Sequence, residues 1–266
     1  MKNGVYYIDD KIYIVISQSL MKKFVERGNL IAFCPKQIKE ISIDKKYDYS
    51  SKSMDAGNYF ESMAIGGTAA RTITSMGKLK NGKVSVDQKR IDAQVKEFRN
   101  DKKKLQIDVD RYSVQQKFVK VFKLFDDDNT IVIFQGVTDI VSFCNFKGDY
   151  QFRIIDLKLT KDVTNTFGPF CWGIPDEMDH IQAYTYNWVI KAPFAYMIYD
   201  YKPSVLEKKA PLNVNISSTH VLEMNESIRK TVANMIEQEL TGWKPIPNLP
   251  ENNGRYIVNK CDKCII

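Results

Sequence analysis

The chain has 266 residues, 44% of them hydrophobic and 27% charged, which is enough to bury one substantial core and suggests one large domain or two small ones, one domain with decorations being expected. A formal net charge of +7, with a sequence pI near 8.9, favours a polyanionic partner through phosphate neutralisation, although many soluble proteins are equally basic. Asp9 and Asp10 lie near the N-terminus and the apolar run from Ile12 to Ile16 is far too short for a signal core or membrane span, so a cytoplasmic protein with no membrane partner is expected; 5 cysteines, an odd number, argue for thiols or a metal site over disulfides.

In chain order, Lys11 to Ile16 predicts a short strand and Ser17 to Phe33 a helix capped by Ser17 or Ser19 and stopped by Pro35. A second helix is expected from about Met54 through Ala70, carrying Gly57 and Glu61 one turn apart. Thr74 to Arg111 is rich in lysine and arginine and contains an amphipathic helix from Val86 to Leu105. It reads as a basic helical insertion or lid more than as core, its lysines either solvated or facing nucleic acid. Three β segments follow at Lys117 to Phe125, Thr130 to Phe143 and Gln151 to Leu159, the first two joined across Asp126-Asp127-Asp128-Asn129. A helix from Met178 to Lys191, strands at Phe194 to Tyr201 and Leu212 to Val221, and a helix from Glu226 to Leu240 ended by Gly242 complete the pattern. The tail, with Pro245, Pro247 and Pro250, is expected to be extended and to bring Cys261 and Cys264 back towards Cys34. The order of elements predicts an α/β fold, a mixed central sheet flanked by helices, in a single domain over residues 1–266 with the basic insertion at about 74–111.

Ile154-Ile155-Asp156-Leu157-Lys158 carries the clearest chemistry, because strand alternation sets Asp156 and Lys158 on one face and Leu157 on the other. Taken alone, such a pair is what a surface salt bridge also produces. Gly136-Val137-Thr138-Asp139-Ile140 puts a second carboxylate in an apolar strand, where a lysine or a hard divalent cation must compensate it. Gly57-Asn58-Tyr59-Phe60-Glu61 adds a helical carboxylate, with a glycine that would allow close approach to the sheet or a phosphate. Gln182 and Tyr186, at i and i+4, project an amide and a phenol from one helix face, the tyrosine as a core residue or a site residue.

In this order, S-x-S with C-P after it, G-x-x-F-E, G-x-x-D, D-L-K and Q-x-x-x-Y resemble the RecB-type branch of the PD-(D/E)XK nucleases, a branch that includes the exonucleases of CRISPR adaptation. The resemblance runs from Ser17 to Cys264 and is weakest over Thr74 to Arg111. It implies a restriction-endonuclease-like core and metal-dependent cleavage of DNA with Mg²⁺ or Mn²⁺. Asp139, Asp156 and the Leu157 carbonyl would be metal ligands, with Glu61 a ligand directly or through water. Lys158 would act on the attacking water and the developing phosphate charge, while Gln182 and Tyr186 would orient the site and hold the DNA backbone. Some relatives hold an iron-sulfur cluster on four cysteines, and Cys34, Cys261 and Cys264 match three of those positions. The missing fourth ligand favours a remnant packed as buried thiols over an iron-sulfur or Zn²⁺ site completed by Cys144, Cys171 or another ligand, or a chain cut short.

No G-x-x-x-x-G-K-[ST] run exists, so any helicase motor would be another protein, and with only His180 and His220 there is no H-E-x-x-H zinc site and little for a Ser-His-Asp triad. The expected function is an exonuclease or processing nuclease of recombination, repair or phage DNA metabolism, working with a helicase, recombinase or replication protein, in the host cytoplasm if phage-encoded. The contrasting expectation is a nuclease-fold protein that binds DNA or a partner without cutting.

Overall fold

The structure is a computed structural model that describes residues 1–24, 26–27, 30–31, 34–46, 52–66, 76, 85–110, 113–123, 128–146, 148–160, 180–201, 212–214, 218–244 and 256–257. Its first half contains β1 (Gly4–Ile8), β2 (Lys11–Ser17), α1 (Gln18–Met21), β3 (Glu26–Arg27), β4 (Leu30–Ile31), α2 (Pro35–Ile38), α3 (Lys52–Ile65), α4 (Val86–Lys104) and β5 (Lys117–Lys123). Then come β6 (Thr130–Val137), β7 (Ile140–Phe146), β8 (Asp149–Thr160), α5 (His180–Ile190), β9 (Phe194–Asp200), β10 (Leu212–Val214), α6 (Ser218–Thr241) and β11 (Tyr256–Ile257). This is a mixed α/β architecture, and none of the described helices is long and apolar enough to cross a membrane.

The chain forms two compact units. The first comprises Met1–Tyr49, Phe118–Gly136 and Ser217–Ile266. Its main sheet has the order β1-β2-β6-β5, with β1 antiparallel and β6 parallel to β2. Asp9 and Asp10 both adopt positive φ, at 47° and 59°, the conformation a tight two-residue hairpin demands and aspartate tolerates. Met224, Ile228, Val232 and Met235 form a fully buried stripe along α6, and Gly242, at φ 86°, closes the helix by donating its N–H to the Gln238 carbonyl.

Within this unit the helix expected from Ser17 to Phe33 is corrected to a single turn. Ser17 caps it as anticipated, but a 3₁₀ turn at Lys22–Phe24 follows, and then β3 and β4 pair antiparallel. The dipeptide Gly28-Asn29 favours a turn, and β4 gains β11 as a parallel neighbour, so strand pairing wins over local helix propensity. Pro35 starts α2 instead of stopping a helix, since its fixed φ suits the first helical position. Among the described residues, Leu212–Val214, in the second unit, is strand, and α6 begins at Ser218, inside the range expected to be strand.

The second unit comprises Ser50–Lys117 and Val137–Ile216. Its sheet has the order β10-β9-β8-β7, with β8 antiparallel to β7 and parallel to β9. One face, through Ile140, Cys144, Phe146, Ile155 and Leu157, is packed by Tyr59 and Phe60 of α3 and by Ile91, Val95 and Phe98 of α4. The basic segment therefore supplies core as well as lysines: its helix turns an i, i+4, i+7 apolar stripe inwards. The other face carries the candidate site.

The run from Thr130 to Phe143 is two strands, not one. The β6 strand belongs to the first unit and β7 to the second, and the ladder breaks at Thr138 and Asp139. There Thr138 donates its main-chain N–H to the Gln116 carbonyl at 3.0 Å, and Gln115 donates to the Asp139 carbonyl at 2.8 Å. Gly57 marks no close approach to the sheet: among the described residues a side-chain carbon there would meet nothing within 4 Å.

Candidate active site

The site is built on the strand β8 and the chain that leads into β7. Asp156 is 2% exposed, and its neighbours divide by strand alternation: Leu157 enters the core while Lys158 shares the aspartate's face. The Lys158 ammonium forms an ion pair with Asp156 Oδ2 and donates to Gln182 Oε1 at 3.3 Å. The Gln182 amide, one turn into α5, donates in turn to Asp156 Oδ1. Lys158 Nζ also sits 5.6 Å from the centre of the Tyr196 ring.

Asp139 reaches the same strand. Its Oδ2 accepts the main-chain N–H of Leu157 at 2.7 Å, the peptide flanked by Asp156 and Lys158. The register explains this, since Ile140 opposes Ile155 and the preceding and following residues, Asp139 and Asp156, then fall side by side on one face. Glu61 arrives from α3, and its Oε1 accepts from Gln115 Nε2 at 2.6 Å. The Tyr186 hydroxyl donates to the Val137 carbonyl at 3.0 Å, so this buried phenol braces the main chain just before Asp139.

Charge makes the cluster tense. Burial raises the Asp139 carboxyl well above its ordinary range, and the Asp156 and Glu61 charges add to the effect. Burial likewise raises Glu61, reinforced by Asp156 and opposed by the Gln115 hydrogen bond. Burial alone would pull Lys158 down, but Asp156, Asp139 and Glu61 together hold it above its usual value. Burial, then the charges of Asp156 and Asp139, push the Tyr186 phenol up, which keeps it a donor.

Three carboxylates against one ammonium leave excess negative charge in a poorly solvated place, which a hard cation would relieve. Among the described residues, Asp156 Oδ2 is engaged by the Lys158 ion pair. Among the described residues no three His, Cys, Asp or Glu side chains converge closely enough to hold an ion by themselves. The donor set thus fits a cation such as Mg²⁺ or Mn²⁺ that takes one or two carboxylates and completes its shell with water and phosphate.

Gln115 is the residue that the sequence did not disclose. It lies in irregular chain between α4 and β5, with φ at 47°, and holds Glu61 through its side chain and Asp139 through its main chain. No periodicity marks such a position, because both bonds are long-range. Cys34 is buried and its Sγ accepts from Gln37 N at 3.4 Å, and Cys144 is buried in the second unit's core. Cys171, Cys261 and Cys264, and the side chains of His180 and His220, lie outside the described residues. The parallel pairing of Ile31 with Ile257 does bring together the strands that precede Cys34 and Cys261.

No family model matches this sequence, and no curated protein matches it. Among solved structures, the chain is similar to a crystal structure from Eubacterium rectale whose description as an exonuclease is itself provisional. The TM-score is 0.57 at 15% identity, over 94% of this chain and 86% of that one. The likeness is one of fold.

Proposed function

We propose that the second unit carries a metal-dependent DNA nuclease site of the PD-(D/E)XK type, built from Glu61, Asp139, Asp156 and Lys158. The observation that carries the reading is the hydrogen bond from the Leu157 N–H to Asp139, which ties the second carboxylate to the Asp156-Leu157-Lys158 strand from the side. The provisional description of a protein with a similar fold as an exonuclease supports the same reading. So does the net charge of +7, which suits a DNA partner.

In this reading Asp139 and Asp156 would hold the cation, with the Leu157 carbonyl as a further ligand and Glu61 reaching it through water. When bound, a divalent cation supplies Lewis-acid stabilisation of phosphoryl charge and a nucleophile at neutral pH. Lys158, kept protonated by its three acidic neighbours, orients the attacking water and offsets charge developing on the phosphate. Gln182 holds Asp156 and Lys158 in place, and Tyr186 fixes the entry into β7 instead of offering its hydroxyl to DNA. We take the three cysteines Cys34, Cys261 and Cys264 as packed thiols, not an iron-sulfur or Zn²⁺ site. Recombination, repair or phage replication, beside a helicase or recombinase, is the setting such an enzyme would serve.

One observation favours a second reading, a nuclease-fold protein that binds DNA without cutting: Asp156 is closed off by both Lys158 and Gln182. Incubating the protein with linear and circular DNA, single- and double-stranded, with Mg²⁺ or Mn²⁺ and then with EDTA, separates the two. Cleavage that needs the metal and stops with EDTA is expected. Tight binding with no cleavage of any substrate would favour the second reading, and cut circles would indicate an endonuclease.

A further inference from the structure

The sheet face that carries the acids does not end with them. In the β7–β8 hairpin, Val141 opposes Ile154, Phe143 opposes Phe152 and Asn145 opposes Tyr150. Alternation therefore aligns Asp156, Ile154, Phe152 and Tyr150 on one face of β8, and continues the series Asn145, Phe143, Val141 on β7 to Asp139. Phe143 and Phe152, a directly opposed pair, each stand four residues from an acid, about 13 Å along the strands.

Around Asp156 this face is covered by Gln182 of α5, but beyond Ile154 it is open. Phe143, Tyr150 and Phe152 are 52%, 58% and 40% exposed. Phe143 stacks on Tyr150 with ring centres 5.7 Å apart and meets Phe152 edge-on at 5.5 Å, so the three rings form one continuous apolar platform. Among the described residues the nearest carboxylate points elsewhere, since Asp149 is engaged by Arg153 and Gln151. Cross-strand aromatic pairing stabilises a hairpin, but it does not require the outer ring faces to stay wet.

We infer that this platform is a stacking site for the bases of single-stranded nucleic acid, placed to hold the strand on one side of the bond being cut. The inference rests on the nuclease reading and extends it to the substrate class. A ring face accepts any unpaired base without regard to sequence, whereas a duplex hides its base faces within its own stack. Three rings of roughly 200 Å² each, about half exposed, offer far less than the roughly 800 Å² per partner of a stable protein interface, which disfavours a second copy or another protein as the occupant. The platform is within reach of a few nucleotides from the acids.

The test is fluorescence anisotropy in EDTA, comparing a labelled oligothymidylate with an abasic strand of equal length. Wild-type protein should bind the base-bearing strand about tenfold more tightly. Phe143→Leu and Tyr150→Leu should bring that ratio close to one, and Phe143→Tyr should preserve it, with circular dichroism reporting that each variant is folded. Tyr150→Leu, at the most exposed ring, serves if Phe143→Leu does not fold. An unchanged ratio in the leucine variants would overturn the inference, as would a loss of dimer or partner binding in those variants with the ratio intact. If wild-type protein still cleaves with metal in that case, the nuclease reading stands without the platform; if it binds no nucleic acid at all, both fall.

Discussion

Gln115 Nε2 donates to Glu61 Oε1 across 2.6 Å while the same residue's main-chain N–H donates to the Asp139 main-chain carbonyl across 2.8 Å, so a single residue ties the Glu61 carboxylate to the backbone that carries Asp139. A hydrogen bond to a charged group contributes about 1.5–3 kcal/mol. Gln115→Ala should therefore raise the Mn²⁺ concentration for half-maximal cleavage roughly tenfold, water recovering part of the loss. The same substitution in a Glu61→Gln background should have little further effect, which a double-mutant cycle measures.

The raised carboxyls predict how metal and pH trade against each other. Glu61 and Asp139 titrate above their ordinary values in the folded chain. They therefore favour folding at acid pH, below their unfolded values near 4, and that contribution is lost as pH rises through the folded values. Above those folded values their charges weigh against the folded state, and a divalent cation offsets them. The rise in melting temperature on adding Mg²⁺ or Mn²⁺ should accordingly be larger at pH 8 than at pH 5, and absent in Asp156→Asn. At a hundred times Kd the stabilisation is about 2.7 kcal/mol, a shift of a few degrees. Equal shifts at both pH values would show that these acids do not take up the ion.

Tyr186 distinguishes bracing from DNA contact. Its hydroxyl donates to the Val137 carbonyl, and Tyr186→Phe leaves that acceptor without this partner at a cost of about 1–3 kcal/mol. Melting temperature should fall and cleavage should slow. The slope of log affinity against log salt should stay as in wild type, because no phosphate contact is lost. A shallower slope would mean that the phenol meets the DNA backbone after all.

The legible parts of this fold were those decided locally. Alternation around Asp156 and Lys158 gave their shared face, and the spacing of Ile91, Val95 and Phe98 gave the helix α4, although not its place in the core. What escaped was set by partners far along the chain. Nothing in the β-rich run from Thr130 to Phe143 announces a break at Asp139, which comes from bonds to Gln115, Gln116 and Leu157. The short strands β3 and β4 replace a helix because β4 is paired on both sides, once from β11 near the C-terminus. The aromatic platform was invisible for the same reason: only the hairpin register aligns Phe143 with Phe152.

Asp156 and Lys158 are predicted to fail differently, and their single-turnover rates on linear DNA test the central claim most directly. With saturating Mg²⁺ or Mn²⁺, wild-type protein should cleave. Asp156→Asn should lose metal-dependent stabilisation and cleavage together, whereas Lys158→Ala should keep metal and DNA binding but cleave at least about a hundredfold more slowly, as expected for a group acting chiefly in the transition state. Cleavage by both variants at the wild-type rate, or wild-type protein that binds DNA yet cuts none with either metal, would contradict a catalytic site at these residues.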